Sequence, residues 1–265
     1  MIFIIGGRGF VGSAFARYAE KNNIEYRVVE QDDYKQYAGQ QCDILVNCNG
    51  NSKKFLANEN PALEFDLSVK SVFNTIHDFK FNKYIHISSI DVYNDFSNPK
   101  KNSEKAVIDT AKQSNYGFHK YLAEQVIKKY VKNWLIIRMG GVLGAGMKKN
   151  PVFDLLNKKP LWVNINSKYQ YLNTDDVAEI AFLLNKKLRK NEIINVCGNG
   201  CISLRGVAGL IDKNYKPAYA ADKPRKEYYQ INNSKLKSLI EAPETKDVAK
   251  KFIREYLKEN AINNI

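Results

Sequence analysis

The chain has 265 residues, enough to bury one full core, and 44% of them are hydrophobic, an ordinary fraction for a globular protein. No stretch is long and apolar enough to span a bilayer, so no membrane partner is expected. The formal charge of +13 would suit a polyanion, but the lysines are scattered over polar sides of predicted helices (Lys128, Lys129, Lys132, Lys186, Lys187, Lys190), which favours a solvated surface and no nucleic-acid partner.

Residues 1–5 read Met-Ile-Phe-Ile-Ile and run straight into a glycine cluster, with no charged leader or cleavage site. The expectation is a cytoplasmic protein that begins as structure. Ile2–Ile5 is a continuous apolar run, the signature of a strand buried on both faces. Val11, Ala14, Phe15, Tyr18 and Ala19 follow at i, i+3, i+4, i+7 and i+8, which predicts a helix. Tyr26–Glu30 and Asp43–Cys48 read as the second and third strands, with too few residues between them for a full crossover helix. Pro61 opens a helix running to about Phe79, since proline suits a first helical turn. Tyr84–Ser88 is the next buried strand, followed by a polar loop, a helix over about Tyr116–Val131 and a strand at Trp134–Arg138. Strands alternating with helices predict parallel βαβ units. Beyond Gly140 the alternation loosens. A helix at Asn173–Asn185 is marked by a capping Asn173 or Thr174, acids Asp175 and Asp176, and an apolar face of Val177, Ile180, Ala181 and Leu184. Ile193–Val196 reads as a strand, Ser203 caps a short helix, and Asp247–Leu257 reads as helical. The fold class expected is α/β, a doubly wound parallel (Rossmann) sheet with a small C-terminal α/β substrate lobe. Residues 1–145 form the dinucleotide-binding region and residues 146–265 mainly the substrate lobe, within one compact domain.

Gly6, Gly9 and Gly12 stand between the first strand and the first helix, with Arg8, Phe10 and Val11 among them. A side chain at the first would obstruct the turn, the second lets backbone amides approach a pyrophosphate, and the third allows close helix–strand packing. The helix N-terminus favours the anion. Glu30, at the end of the second strand and 18 residues beyond Gly12, would accept hydrogen bonds from an adenosine ribose and repel a 2′-phosphate. Arg8 pulls towards NADP, because a guanidinium pairs with a phosphate. NAD is favoured over NADP.

Tyr116 and Lys120 lie four residues apart and share one helical face. A phenol with an ordinary pKa of about 10 needs a nearby cation to act as a base at neutral pH. Ser88-Ser89-Ile90-Asp91-Val92-Tyr93 follows a buried strand, which puts a hydroxyl at the sheet's carboxyl edge. Cys42, Cys48, Cys197 and Cys201 read as free thiols, and no metal site is expected at Cys197 and Cys201 for want of a second ligand pair.

The order of glycine turn, strand-end serine pair and Tyr-x-x-x-Lys resembles the extended short-chain dehydrogenase/reductase family, the NAD-dependent epimerase/dehydratase type. Asn47-Cys48-Asn49-Gly50, Arg138 before Gly140-Gly141, Asp175-Asp176-Val177-Ala178, and Ile194-Asn195-Val196 before Gly198 carry the resemblance across nearly the whole chain. It implies that Tyr116 is the acid/base and that Lys120 binds the nicotinamide ribose and tunes Tyr116. It also implies that Ser89 is the catalytic hydroxyl, with Ser88 as fallback, and that Asn49 and Gly50 line the cofactor through backbone atoms, with Ser88 beside it. The implied substrate is a nucleotide-activated sugar, reduced or epimerised at a 4-keto or 4-hydroxyl group, and the resemblance leaves room for a homodimer. Departures from the family pattern are informative. The first acid of the dehydratases is Ile90 here and only Asp91 remains, which argues against elimination of water. An asparagine and an arginine that grip the sugar diphosphate in the family are Gly141 and Tyr169, with Lys168 beside the latter. Asp91, Gly141 and Lys168 are accordingly the substrate-facing candidates. Two alternatives remain open at this point: an oxidoreductase of another small carbonyl compound, and a non-catalytic NAD(P)-binding sensor or scaffold. His119 reads as a rim residue, His77 and His86 as structural, and Tyr228-Tyr229 as a packed or solvated loop pair.

Overall fold

A computed structural model describes residues 1–262. In chain order the strands are β1 (Ile2–Ile5), β2 (Tyr26–Val29), β3 (Gln41–Asn47), β4 (Lys80–Ser89), β5 (Trp134–Met139), β6 (Gly141–Leu143), β7 (Lys168–Tyr169), β8 (Tyr171–Asn173), β9 (Glu192–Val196) and β10 (Ile202–Ser203). Six of them form one parallel sheet in the order β2-β1-β3-β4-β5-β9. The order reverses between β1 and β3, and the crevice at their carboxyl ends is where such sheets bind ligands.

The sheet is covered on both faces, as its continuous apolar strands require. On one side the helices Gly12–Lys21 and Thr174–Lys187 bury Ala14, Phe15, Val177, Ala181 and Leu184 against Ile2, Ile4, Ile85 and Ile137. On the other, Ser71–Asp78 and Asn115–Tyr130 bury Val72, Ile76, Ala123 and Ile127 against Phe3, Leu45 and Ile136. Asn173 caps the Thr174 helix in a reciprocal box with Asp176. From that first turn Asp175 reaches Arg17, 2.5 Å away, tying the two helices together.

Between β2 and β3 the crossover shrinks to one turn, Tyr34–Tyr37, as the short interval foretold. The segment opened by Pro61 is helical to Asp78, but it widens into a π-helical turn at Asp66–Lys70. The C-terminal part has its own core, built from Leu143, Val152, Leu155, Leu161, Val207 and Phe252, and small two-stranded sheets β6-β8 and β7-β10. β9 and the Thr174–Lys187 helix nevertheless belong to the main sheet, so the chain returns to the first layer after building part of the lobe. Among the described residues no helix is long and apolar enough to cross a membrane.

Candidate active site

The glycine turn follows β1 without interruption. Gly6 has φ +72°, a conformation that favours glycine, and a Cβ there would press on the Asn49 backbone at 3.3 Å. A Cβ on Gly12 would stand 2.1 Å from the Gly6 carbonyl oxygen, so the helix starts as close to the strand as two backbones allow. Val11 sits at the cap position, and Phe10 packs against the core of the C-terminal lobe. This leaves a side-chain-free cradle facing a helix N-terminus, which fits a dinucleotide pyrophosphate. Asn49 and Gly50 run alongside it, the Asn49 amide held by the Asn47 side chain at 2.9 Å.

At the far end of the turn, a depression of about 610 Å³ is lined by Arg8, Glu30, Gln31 and Asp32. Glu30 accepts a hydrogen bond from the Arg8 backbone N–H at 2.5 Å. The Arg8 guanidinium lies 3.5 Å from Asp32 and 3.7 Å from Asp33, so it is already shared between two carboxylates.

The candidate hydroxyl, phenol and ammonium converge at the carboxyl edge of β4. Ser114 caps the helix Asn115–Tyr130 by accepting from the Gly117 N–H at 3.1 Å, which presents Tyr116, His119 and Lys120 in the first turns. Tyr116 and Lys120 are buried, and the Lys120 Nζ lies 5.6 Å from the Tyr116 ring centroid. The ammonium crosses Gly50, where a Cβ would stand 2.7 Å from Nζ. Ser89 Oγ donates to Asp91 Oδ2 at 2.8 Å and accepts the Asp91 amide at 3.1 Å. Asp91 in turn pairs with Lys54 at 2.7 Å.

Burial raises the Tyr116 pKa above the ordinary tyrosine value, and Asp91 and Glu64 add to the rise, while Lys54 and Ser89 oppose it. Burial also draws Lys120 below the usual lysine range, against the pull of Glu64 and Asp91. Burial and the two carboxylates thus favour the protonated phenol, the form that donates, against the pull of the Lys54 charge.

Two candidates fall outside the crevice. Strand alternation turns Ser88 to the opposite side from Ser89, and its hydroxyl donates to the buried Glu124 at 2.6 Å, so its side chain does not share the place of Ser89 beside Asp91. Lys168 lines a separate cavity of about 820 Å³ that none of Ser89, Asp91, Tyr116 or Lys120 touches, and contacts Tyr228 there. Gly141 is packed rather than open, since a Cβ would meet the Gln170 carbonyl at 2.8 Å. Tyr169 donates its hydroxyl to Glu227 at 2.7 Å and stacks on Tyr229, which stacks on Phe96. Cys197 packs beneath Gly140, and all four cysteines are free.

Three further groups carry little local signal. Glu64 is fully buried and paired with His119, which is therefore buried rather than on the rim, and Ser68 donates to the same carboxylate. Both Glu64 and Ser68 come from the helical run bearing the π-turn, a frequent mark of function. Lys54 sits on the loop after β3, where nothing in the local pattern distinguishes it from Lys53.

His86 on β4 is 1% exposed, and neither ring nitrogen has a hydrogen-bond partner among the described residues. Burial, reinforced by the Lys120 charge, pushes its pKa down to about 3. The unfolded chain takes up this proton near pH 6.5 and the folded chain does not, so stability falls as pH drops from about 6.5 towards 3. This one group contributes a slope of about 1.4 kcal/mol per pH unit in that window. Urea unfolding at several pH values is expected to show a shallower acid slope for His86→Phe; an unchanged slope would refute this assignment.

A family model described as the NAD dependent epimerase/dehydratase family matches residues 2–197. The chain belongs to that family. A search of the curated proteins gave no match. Solved structures share the fold at low identity. A dTDP-4-dehydrorhamnose reductase from Clostridium acetobutylicum superposes with a TM-score of 0.80 at 18% identity, covering 97% of this chain and 99% of that one. Another from Bacillus anthracis, solved with NADP, gives 0.75 at 16%, covering 96% and 97%. A UDP-glucuronic acid 4-epimerase from Bacillus cereus, solved with UDP-glucuronic acid and NAD, gives 0.76 at 17%, covering 96% and 99%. Within this epimerase/dehydratase fold the glycine cradle and the Ser89–Tyr116–Lys120 cluster stand at the same crevice.

Proposed function

We propose that this protein is an NAD(P)-dependent reductase or epimerase acting at the 4-position of a nucleotide-activated sugar. The observation that carries the reading is the meeting of a buried Tyr116 with Ser89 and Lys120 beside the glycine cradle. A bound nicotinamide would supply the hydride donor or acceptor in that crevice. Tyr116 gives its proton to the oxygen of a carbonyl as the carbon is reduced, or takes it back when a hydroxyl is oxidised. Ser89 Oγ orients the same oxygen. Lys120 is placed to bind the nicotinamide ribose and hold the phenol in register. The solved relatives named as 4-dehydro reductases and 4-epimerases support the position attacked. Residues 1–145 hold the cofactor in this reading and residues 146–265 shape the substrate side, in a cytoplasmic enzyme. Assays of purified protein with NAD(H), NADP(H) and UDP- or dTDP-linked 4-keto and 4-hydroxy sugars test it. Absence of hydride exchange or epimerisation with every such sugar, alongside turnover of another carbonyl compound, would overturn the substrate class.

The cofactor is NAD(H) in this proposal. A 2′-phosphate would enter a region already holding Glu30, Asp32 and Asp33, with Arg8 shared between the two aspartates. NADH is expected to bind at least about tenfold more tightly than NADPH, a difference of about 1.4 kcal/mol. Glu30→Ser is expected to narrow that gap. Equal or tighter NADPH binding in a nicotinamide-fluorescence titration would refute the assignment.

A further inference from the structure

The cations around the reacting groups are unequally committed. Arg138 is buried and engaged by Glu124 and Tyr93, and Lys120 is buried across Gly50. Lys54 differs, because its side chain is 55% exposed while its head is fixed in place. The ammonium lies 2.7 Å from Asp91 Oδ1 and 5.6 Å from the Tyr229 ring centroid. The other Asp91 oxygen takes the Ser89 hydroxyl, so a single carboxylate separates the Lys54 ammonium from the serine beside Tyr116. An ammonium has three N–H donors; Asp91 uses one and the Tyr229 hydroxyl engages another, which leaves one.

Two more lysines crowd the same place. Lys149 donates to the Ser52 carbonyl at 2.7 Å and the Ser52 hydroxyl at 3.0 Å, pinning its loop to the segment that carries Lys53 and Lys54. Desolvation holds Lys149 below the usual lysine range, and the charges of Lys53 and Lys54 hold it lower still. Lys53, Lys54 and Lys149 therefore repel one another, and of the three only Lys54 is paired with the Asp91 carboxylate, an arrangement that an incoming anion would relieve. Tyr229, under the Lys54 ammonium, stacks on Tyr169, whose hydroxyl is given to Glu227.

We propose that Lys54, backed by Lys53 and Lys149 and aimed by Asp91, is the subsite that recognises an anionic group on the substrate close to its reacting carbon. This rests on the nucleotide-sugar reading above. The chemistry recognised is a carboxylate or phosphate oxygen, and the two sources are a sugar-ring carboxylate and the nucleotide diphosphate. Lys54 is a specificity-determining residue here, not an acid or base.

Isothermal titration of the NAD-loaded protein with UDP-glucuronic acid and with UDP-glucose tests the proposal. Lys54→Gln is expected to weaken UDP-glucuronic acid binding at least about tenfold, while Lys54→Arg stays within about threefold of the native protein. NAD affinity serves as the check that the variant is folded. Loss confined to UDP-glucuronic acid supports the ring carboxylate as the source, and equal loss for both sugars supports the diphosphate. Unchanged affinity for both in Lys54→Gln overturns the proposal. So does recovery of native affinity in the double variant Lys54→Gln/Asp91→Asn, because Lys54 would then merely neutralise Asp91. Failure of the native protein to bind either sugar would overturn this subsite, while the nucleotide-sugar reading would fall only if the dTDP-linked sugars failed as well.

Discussion

Tyr116→Phe is expected to lower kcat by about 10²–10⁴-fold while leaving NAD affinity within about twofold of the native value. The substitution removes one oxygen from a side chain that is already buried, so the fold has little to lose. In the proposed reaction the chemistry has much more to lose, because the phenol is the proton donor next to Ser89. Neither neighbour can replace it. The Ser89 hydroxyl is committed to Asp91, and Lys120 is held across Gly50 on the cofactor side. Single-turnover measurements with the 4-keto or 4-hydroxy sugar found active in assay, paired with an NADH titration, separate the two effects. Unchanged turnover would defeat the acid/base assignment, whereas lost NAD binding would show that the ring was structural.

The second large effect is on stability. Arg138→Met is expected to destabilise the fold by about 3–5 kcal/mol, because it strands a buried carboxylate. Arg138 is 2% exposed and makes a two-point contact with Glu124, Nε to Oε1 at 2.9 Å and Nη2 to Oε2 at 2.7 Å. Nη1 donates to the Tyr93 hydroxyl at 2.9 Å, and Tyr93 donates to Asn195 at 2.7 Å. Ser88 donates to the same Glu124. The network joins β4, β5, β9 and the helix bearing Tyr116, so it also sets where the strand end presents Ser89. The double variant Arg138→Met/Glu124→Leu is expected to recover most of the loss, since two apolar groups need no partner. Urea unfolding of both variants measures this. Near-native stability of the single variant would show that the pair is not the brace described.

The path from residues to site was most direct where local rules apply. The Gly6–Gly12 turn, the apolar run of β1, the caps at Asn173 and Ser203, and the Tyr116–Lys120 spacing each follow from steric limits or helical period within a few residues. Glu64 and His119 were obscure because their pairing spans 55 positions and depends on two helices meeting. Arg138 was visible as a motif residue, but its role was not, since a guanidinium reads alike whether it faces a substrate or a buried glutamate.

What the amino-acid order alone determined was the doubly wound sheet, the glycine turn after its first strand and the placing of Tyr116 and Lys120 on one helical face, because periodicity and glycine sterics act over short separations. The three-dimensional arrangement decided which of two adjacent serines turns towards Asp91 and which towards Glu124, and it set Lys168 against Tyr228 and Lys54 against Asp91. Those choices depend on the side of a strand or the approach of distant loops, where the free energy lies in long-range burial and charge pairing that no local pattern encodes.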